Sequence, residues 1–277
     1  MKPTAVDFPA GVVHGSGTVV AIVEGNGVIV DRTPFHPVDP TWPDQPTDLG
    51  TVNAQPVVDC QLGAVAADGT IAVDTAIDAR RGDPEFTWVV VHRVDGELPS
   101  VGETVDLIVD ADRRAALSRA HTACHVVALA LNKVLAPAWR KDVVRDGIGS
   151  PDFDRLALTE SRMTPDEARD TYRMGKSLRK KGFDPQFLLS DLGGIATQVN
   201  EVVQGWIEAD ASVTIETDGP NLTDMRHWCC SVPEGIFRIP CGGTHVTSLR
   251  ELGTVTVHYE QPDEATVVAV TEVNAPA

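Results

Sequence analysis

The sequence predicts an α+β fold: an N-terminal small β-barrel, residues 1–109, followed by an α+β zinc-containing domain, residues 110–277. Three observations predict it. The first 109 residues read as short apolar strands punctuated by turns, and at Asp110 the pattern changes to an alanine-rich helix. Two pentads, His121-Thr122-Ala123-Cys124-His125 and Cys241-Gly242-Gly243-Thr244-His245, each place two good zinc ligands four residues apart, with 115 residues between them. Imidazole nitrogen and thiolate sulfur are the donors that a borderline-soft Zn²⁺ prefers, and His121, His125, Cys241 and His245 complete a tetrahedral set.

Each element has a local reason. Residues 18–24 are an apolar run that ends at Gly25-Asn26-Gly27, a turn signal, and Val28-Ile29-Val30-Asp31 returns as the second strand of a hairpin. A loop over 33–46 carries five prolines, too many for a helix or a central strand. Further strands are expected over 64–77, at Thr87-Trp88-Val89-Val90-Val91-His92 and over 105–109, which makes this half a small barrel or sandwich. Asp112 is a candidate cap for a helix running to about Leu135, before Pro137. On that helix His121 and His125 stand one turn apart on one face, as two ligands of one ion require. The Pro, Gly and Asp content of 137–154 predicts an irregular insertion. Pro165 is read as the first turn of a second helix over 164–181. A third helix is expected over 191–209, followed by strands at 211–217, 235–240, 253–259 and 265–273.

Composition bounds the function. A hydrophobic content of 42% with 23% charged residues is that of a globular chain, and no stretch approaches the roughly 18 apolar residues that span a bilayer. Met1-Lys2-Pro3-Thr4-Ala5-Val6-Asp7 lacks the apolar run of a signal peptide, which predicts a cytoplasmic protein. Five cysteines at irregular spacing argue for metal binding or reduced thiols rather than a disulfide framework. A net charge of −17 opposes nucleic-acid binding unless basic residues are gathered on one face. One run gathers them: Arg173-Met174-Gly175-Lys176-Ser177-Leu178-Arg179-Lys180-Lys181 holds five of the 23 basic residues. A solvated helix end is the plainer reading of that run.

Alone, each pentad is a modest signal; together, with their flanks, they resemble a family. Arg119-Ala120-His121-Thr122-Ala123-Cys124-His125 and Pro240-Cys241-Gly242-Gly243-Thr244-His245-Val246 are similar to the two zinc motifs of the alanyl-tRNA editing domain. That domain occurs within alanyl-tRNA synthetases and in freestanding proteins of the AlaX type, and threonyl-tRNA synthetases carry a relative. The likeness extends to Asp31-Arg32-Thr33-Pro34-Phe35-His36-Pro37, Asp48-Leu49-Gly50 and Val199-Asn200-Glu201.

The resemblance implies hydrolysis of the ester that joins a wrong amino acid to the 3′ end of a tRNA. It implies Zn²⁺ at His121, His125, Cys241 and His245, an aminoacylated tRNA as partner, either tRNA(Thr) or tRNA(Ala), and no membrane partner. Thr122 and Gln45 are the expected catalytic residues; Thr33, Asp48, Gly242, Gly243 and Thr244 are the expected substrate contacts. Lys176, Arg179, Lys180 and Lys181 are the expected tRNA contacts. An aminoacyl ester is already activated, so water, positioning and a few oriented donors suffice for its hydrolysis.

One departure bears on the cargo. Where the family has a Gly-Gly-Gln signature, this chain has Asp39-Pro40-Thr41-Trp42-Pro43-Asp44-Gln45-Pro46: Gln45 matches and both glycines are replaced. Freestanding relatives include a fluorothreonyl-tRNA deacylase, and a β-hydroxy amino acid larger than serine needs a reshaped pocket. The cargo expected is therefore a threonine analogue such as 4-fluorothreonine, or Ser or Gly on tRNA(Ala). Two other functions fit the same residues: a non-catalytic tRNA-binding module with a structural zinc, and a zinc hydrolase of a small-molecule ester or amide.

Overall fold

A computed structural model describes Met1–Pro276. The chain divides into two units: Met1–Ala115 with Ile215–His227 and Pro240–Thr244, and Ala116–Thr214 with Trp228–Ile239 and His245–Ala277. Each mixes helix with sheet or loop, and the α+β class holds.

In the first unit, strand β1 (His14–Val23) and β2 (Gly27–Val30) form the expected hairpin, with Val23 opposite Gly27. Gly25 (φ 72°) and Asn26 (φ 56°) take the left-handed turn positions, which suit these two residues best. The strands β3 (Gly50–Val52), β4 (Gln55–Val65), β5 (Ile71–Val73), β6 (Thr87–Val94) and β7 (Thr104–Val109) complete a seven-stranded sheet in the order β3-β7-β1-β2-β6-β4-β5. β3 also pairs with β4, so the circuit β3-β7-β1-β2-β6-β4 returns to its start. A core of Val19, Val28, Val30, Phe35, Leu62, Trp88, Val90 and Leu107 fills one side. Ile29, Val65, Val89 and Val91 pack on the other, which is why β2 is buried at every position. Gly50 stands at φ 157°, where a Cβ would lie 2.0 Å from the Ile108 carbonyl oxygen, so the Asp48-Leu49-Gly50 segment enters the sheet only with glycine.

Helix α1 (Ala111–Val134) begins as expected, but its first-turn amide at Arg113 is taken by Asp110 Oδ1 at 3.0 Å. Asp112 sits in the first turn instead, where its charge favours the helix N-terminus. The helix is buried almost all round from Ala116 to Asn132, which explains its weak amphipathic pattern.

In the second unit, the expected helix over 164–181 is replaced by a hairpin. Strand β8 (Leu158–Thr164) turns at Pro165 and Asp166 (φ 59°) into β9 (Glu167–Arg173), and only Lys176–Lys180 is helical, here α2. The reason is a period-2 pattern: Ala168, Asp170 and Tyr172 are buried while their neighbours are not, and Pro165 serves a turn rather than a helix start. Helix α3 (Leu192–Glu208) is capped by Asp191, which accepts from Gly194 N at 2.8 Å. Strands β10 (Ser212–Thr217), β11 (Arg226–Val232) and β12 (Gly235–Pro240) form a three-stranded sheet. Strands β13 (Thr254–Asp263) and β14 (Thr266–Asn274) join the β8-β9 hairpin in an antiparallel sheet of order β8-β9-β14-β13. Asn200 docks α3 on that sheet, donating to Val257 O at 3.1 Å and accepting from Val257 N at 2.8 Å. Among the described residues no helix is long and apolar enough to cross a membrane.

Candidate metal centre

Helix α1 carries two of the candidate ligands. His121 and His125 lie on one face with ring centroids 4.9 Å apart, and His245 lies 4.3 Å from the first and 5.3 Å from the second. Three imidazoles thus converge, two from a buried helix and one from the segment after Thr244. Burial pushes the His121 imidazole down to about 3, so it is neutral at pH 7, the form that coordinates a metal. His121, His125, Cys241 and His245 each offer one ligand atom, and these atoms all lie within 4.8 Å of one another. Three imidazole nitrogens and one sulfur in that space could hold a metal ion.

Thr122 sets the orientation of one ligand. Its hydroxyl, on a residue with no exposed surface, donates to Ser118 O at 2.8 Å. With its one proton engaged there, Oγ1 accepts from Val246 N at 3.2 Å and from His245 Nδ1 at 3.2 Å. That pattern puts the proton of His245 on Nδ1 and leaves Nε2 with the lone pair, as a ligand held through Nε2 requires. Thr122, expected as a catalytic residue, is thereby occupied in holding His245. Cys124, inside the same pentad, turns its thiol back to His121 O at 3.1 Å and packs with Ala120, Met163 and Ala168.

Gln45, the second expected catalytic residue, is buried and also acts as a brace. Its Nε2 donates to Thr244 Oγ1 at 2.9 Å and its Oε1 accepts from Thr244 N at 2.9 Å. The proline loop thus clamps the end of the Cys241-Gly242-Gly243-Thr244 segment. Cys241 N in turn donates to Arg226 O at 3.1 Å. Gly243 is buried; Gly242 is half-buried, and a Cβ there would meet Arg81 Nη2 at an ordinary 3.8 Å.

Two of the expected substrate contacts have internal duties. Thr33 has no exposed surface; its hydroxyl meets His92 Nε2 at 2.8 Å and accepts from Phe35 N at 3.1 Å. Because His92 Nδ1 faces the Val28 carbonyl at 3.0 Å, Nε2 is the acceptor and Thr33 the donor. Asp48 is equally buried: His36 N donates to Oδ2 at 2.6 Å, and Arg114 Nε donates to Oδ1 at 2.9 Å, with a second bond from Arg114 Nη2. Both residues hold the loop that carries Gln45. The signal for Asp48 was legible only as an acidic residue before a glycine; its partner Arg114 lies 66 residues away.

Sequence reasoning left three groups without a role. Trp228, wholly buried, places its ring 5.1 Å from that of His125 and 6.0 Å from that of His245, and its indole N–H has no acceptor among the described residues. Arg114 and Arg226 are buried cations in the first unit. The basic run stands as an exposed patch of the second unit: Arg173, Lys176, Arg179, Lys180 and Lys181 are all at least partly exposed. Lys141 adds to it by donating to Lys180 O at 2.9 Å.

No family model matches the chain. It is 29% identical over 249 residues to an alanine–tRNA ligase of Caldivirga maquilingensis, which covers 88% of this chain and 23% of that protein. An alanine–tRNA ligase of Thermofilum pendens is 26% identical over 281 residues, 94% of this chain and 25% of the relative. For one from Frankia alni the figures are 28% over 262 residues, 90% and 24%. The chain is similar to these alanine–tRNA ligases over most of its own length. It spans about a quarter of the length of the curated relatives it matches. The relationship is consistent with an AlaX-like editing domain related to those enzymes.

Proposed function

We propose that this chain is a trans-editing aminoacyl-tRNA deacylase, which hydrolyses the ester of a mischarged tRNA. One observation carries the reading. The four donor atoms that gather within 4.8 Å come from the two pentads, in a chain that matches alanine–tRNA ligases over nearly all its length. His121, His125, Cys241 and His245 would hold zinc, a metal that this N/S donor set suits. Zinc, when bound, supplies a Lewis acid close to the ester.

The chain's own residues supply positioning. Thr122 fixes the tautomer and ring orientation of His245, and Gln45 fixes Thr244 next to it. Trp228 packs its buried ring beside those of His125 and His245 and helps to hold them in place. In the reaction a water oxygen bonds to the ester carbonyl carbon. The bond from that carbon to the ribose oxygen breaks, and the ribose oxygen leaves with a proton. Because the ester is activated, holding it against oriented donors accounts for most of the acceleration.

The exposed basic patch Lys176, Arg179, Lys180 and Lys181 would engage the tRNA backbone against the acidic whole. We assign the cargo to β-hydroxy amino acids: a threonine analogue such as 4-fluorothreonine on tRNA(Thr), or Ser on tRNA(Ala), with Gly on tRNA(Ala) as the smaller alternative. The support is the proline-rich loop, in which the glycines of the family signature are replaced while Gln45 keeps its place. The self-returning sheet of the first unit supports reading it as a small barrel that carries this loop. A tRNA substrate would place the activity in the cytoplasm.

The test is a deacylation panel on tRNA charged with Ser, Gly, Thr and a threonine analogue. Release of amino acid from one of them, lost on chelation and restored by Zn²⁺, is the expected result. No release from any of them would leave a binding module rather than an enzyme.

A further inference from the structure

Two guanidinium groups of the first unit converge on one carbonyl. Arg226 Nη1 donates to Leu222 O at 3.0 Å and Arg81 Nη2 reaches the same oxygen at 3.4 Å. Together they line a cavity of about 310 Å³ with Thr223, Asp224, Cys241 and Gly242. Arg81 pairs through Nη1 with Asp39. Among the described residues Arg226 has no such partner: its bonds go to backbone carbonyls, the second to Asn221 O at 2.6 Å, and its ring neighbour is Phe8. It is 3% exposed, and its Nε–H is buried with no acceptor. Asp224 turns its carboxylate to Asn221 N at 2.7 Å instead.

A buried cation without a counter-charge is costly, and an unfilled donor beside it adds to the cost. Burial and then the charge of Arg81 lower the Arg226 pKa to about 10, and the attraction of Asp224 does not offset them. An anion in the cavity would balance the second charge. Guanidinium forks bind carboxylate and phosphate alike. In an aminoacyl ester, however, the amino acid's carboxyl is esterified, so the anions left are phosphates.

We propose that the Arg81–Arg226 cavity binds a phosphate group of the single-stranded 3′ end of the RNA substrate, delivering the terminal ester beside Cys241. The assignment rests on the deacylase reading for its choice of RNA. The phosphate chemistry rests on the cavity alone.

The experiment measures binding of an uncharged RNA hairpin with a single-stranded ACCA 3′ end, and of the same hairpin without that end. The proteins are wild type, Arg81→Gln and Arg226→Lys, with inorganic phosphate as competitor. Thermal unfolding and zinc content of each variant report whether the fold is intact. Arg226→Lys keeps the charge and loses the fork; Arg81→Gln, on a partly exposed side chain, is the variant least able to disturb folding. The expected result is a loss of about tenfold or more for a folded variant on the ACCA hairpin, with the magnitude of the salt slope smaller by roughly 0.7. The variant should then be indifferent to removal of the 3′ end, which costs wild type a similar factor. Variants that bind both hairpins as wild type does would overturn the proposal while leaving deacylation untouched. Phosphate binding that depends on Arg81, with hairpin binding that does not, would overturn the RNA end as the source and leave a site for free phosphate. If wild type neither binds the hairpin nor deacylates, the deacylase reading fails, and phosphate binding by wild type against Arg81→Gln still decides the cavity.

Discussion

Gln45 and Thr244, 199 residues apart in sequence, exchange two hydrogen bonds of 2.9 Å, one through each end of the Gln45 amide. A primary amide can accept from a backbone N–H and donate to a hydroxyl at once, through two atoms held in one plane. The loop that departs most from the family signature therefore keeps a residue that braces the second pentad.

Gln45→Ala should destabilise the protein by about 1–3 kcal/mol, the cost of leaving the buried Thr244 N–H and hydroxyl without these partners. Gln45→Glu, which retains an acceptor and loses the donor, should cost less. Denaturant unfolding of the two variants gives the order. A Gln45→Ala protein as stable as wild type but inactive would restore Gln45 to a direct part in catalysis.

Shortening the partly exposed segment 38–44 while retaining Gln45 should change which side chain is accepted and leave zinc content unaltered. A methyl-sized change in pocket fit is worth about 1–3 kcal/mol, or roughly 10–200-fold in the ratio of rates on Thr-type and Ser-type aminoacyl-tRNA. An equal fall on every substrate would show that the loop serves structure rather than selection.

Thr122→Val removes the acceptor of His245 Nδ1–H and of Val246 N while keeping the volume. It should lower zinc affinity by about 10–100-fold, as loss of a group that orients a histidine ligand does. Thr122→Ser should retain most of it. Competition with a chromogenic chelator measures both, and zinc affinity unchanged in Thr122→Val would mean that His245 is not held through this bond.

Replacing Lys176, Arg179, Lys180 and Lys181 with Ala should weaken tRNA binding and flatten its dependence on salt by about 0.7–0.9 for each phosphate no longer neutralised. Affinity and slope equal to those of wild type would make the patch a solvated surface.

Asp154 makes one distinct contribution to the pH dependence of stability. Burial, and then the neighbouring charge of Asp170, raise its carboxyl from 3.8 to about 7, and it accepts from the Tyr172 hydroxyl at 3.0 Å. Between about pH 4 and 7 the native state holds a proton on Asp154 that the unfolded chain has released, so this group's contribution to stability falls as pH rises through the window, against the opposite contributions of the buried His92 and His121. Asp154→Asn, which can still accept from Tyr172, should remove that contribution, so its stability gains on that of wild type as pH rises from about 4 to 8. Urea midpoints across that range test it; parallel curves for the two proteins would assign the slope to another group.

What the sequence determined by itself was everything carried by short spacing. The β1-β2 hairpin follows from Gly25-Asn26-Gly27, the α1 helix from its alanine-rich run, and the His121–His125 face from four-residue periodicity. The composition of the candidate metal group was legible for the same reason: each pentad is local, and His and Cys are scarce. Tertiary structure decided what depends on distant partners. Pro165 starts a turn instead of a helix because β9 finds a mate in β14, a pairing across about a hundred residues that overrides local propensity. Thr122, Thr33, Asp48 and Gln45 all read as reactive or substrate-facing groups, yet each is buried and braced against another segment. A hydroxyl, carboxylate or amide has the same letter whether it faces a substrate or a backbone amide. Only the fold decides which partners engage its few donors and acceptors.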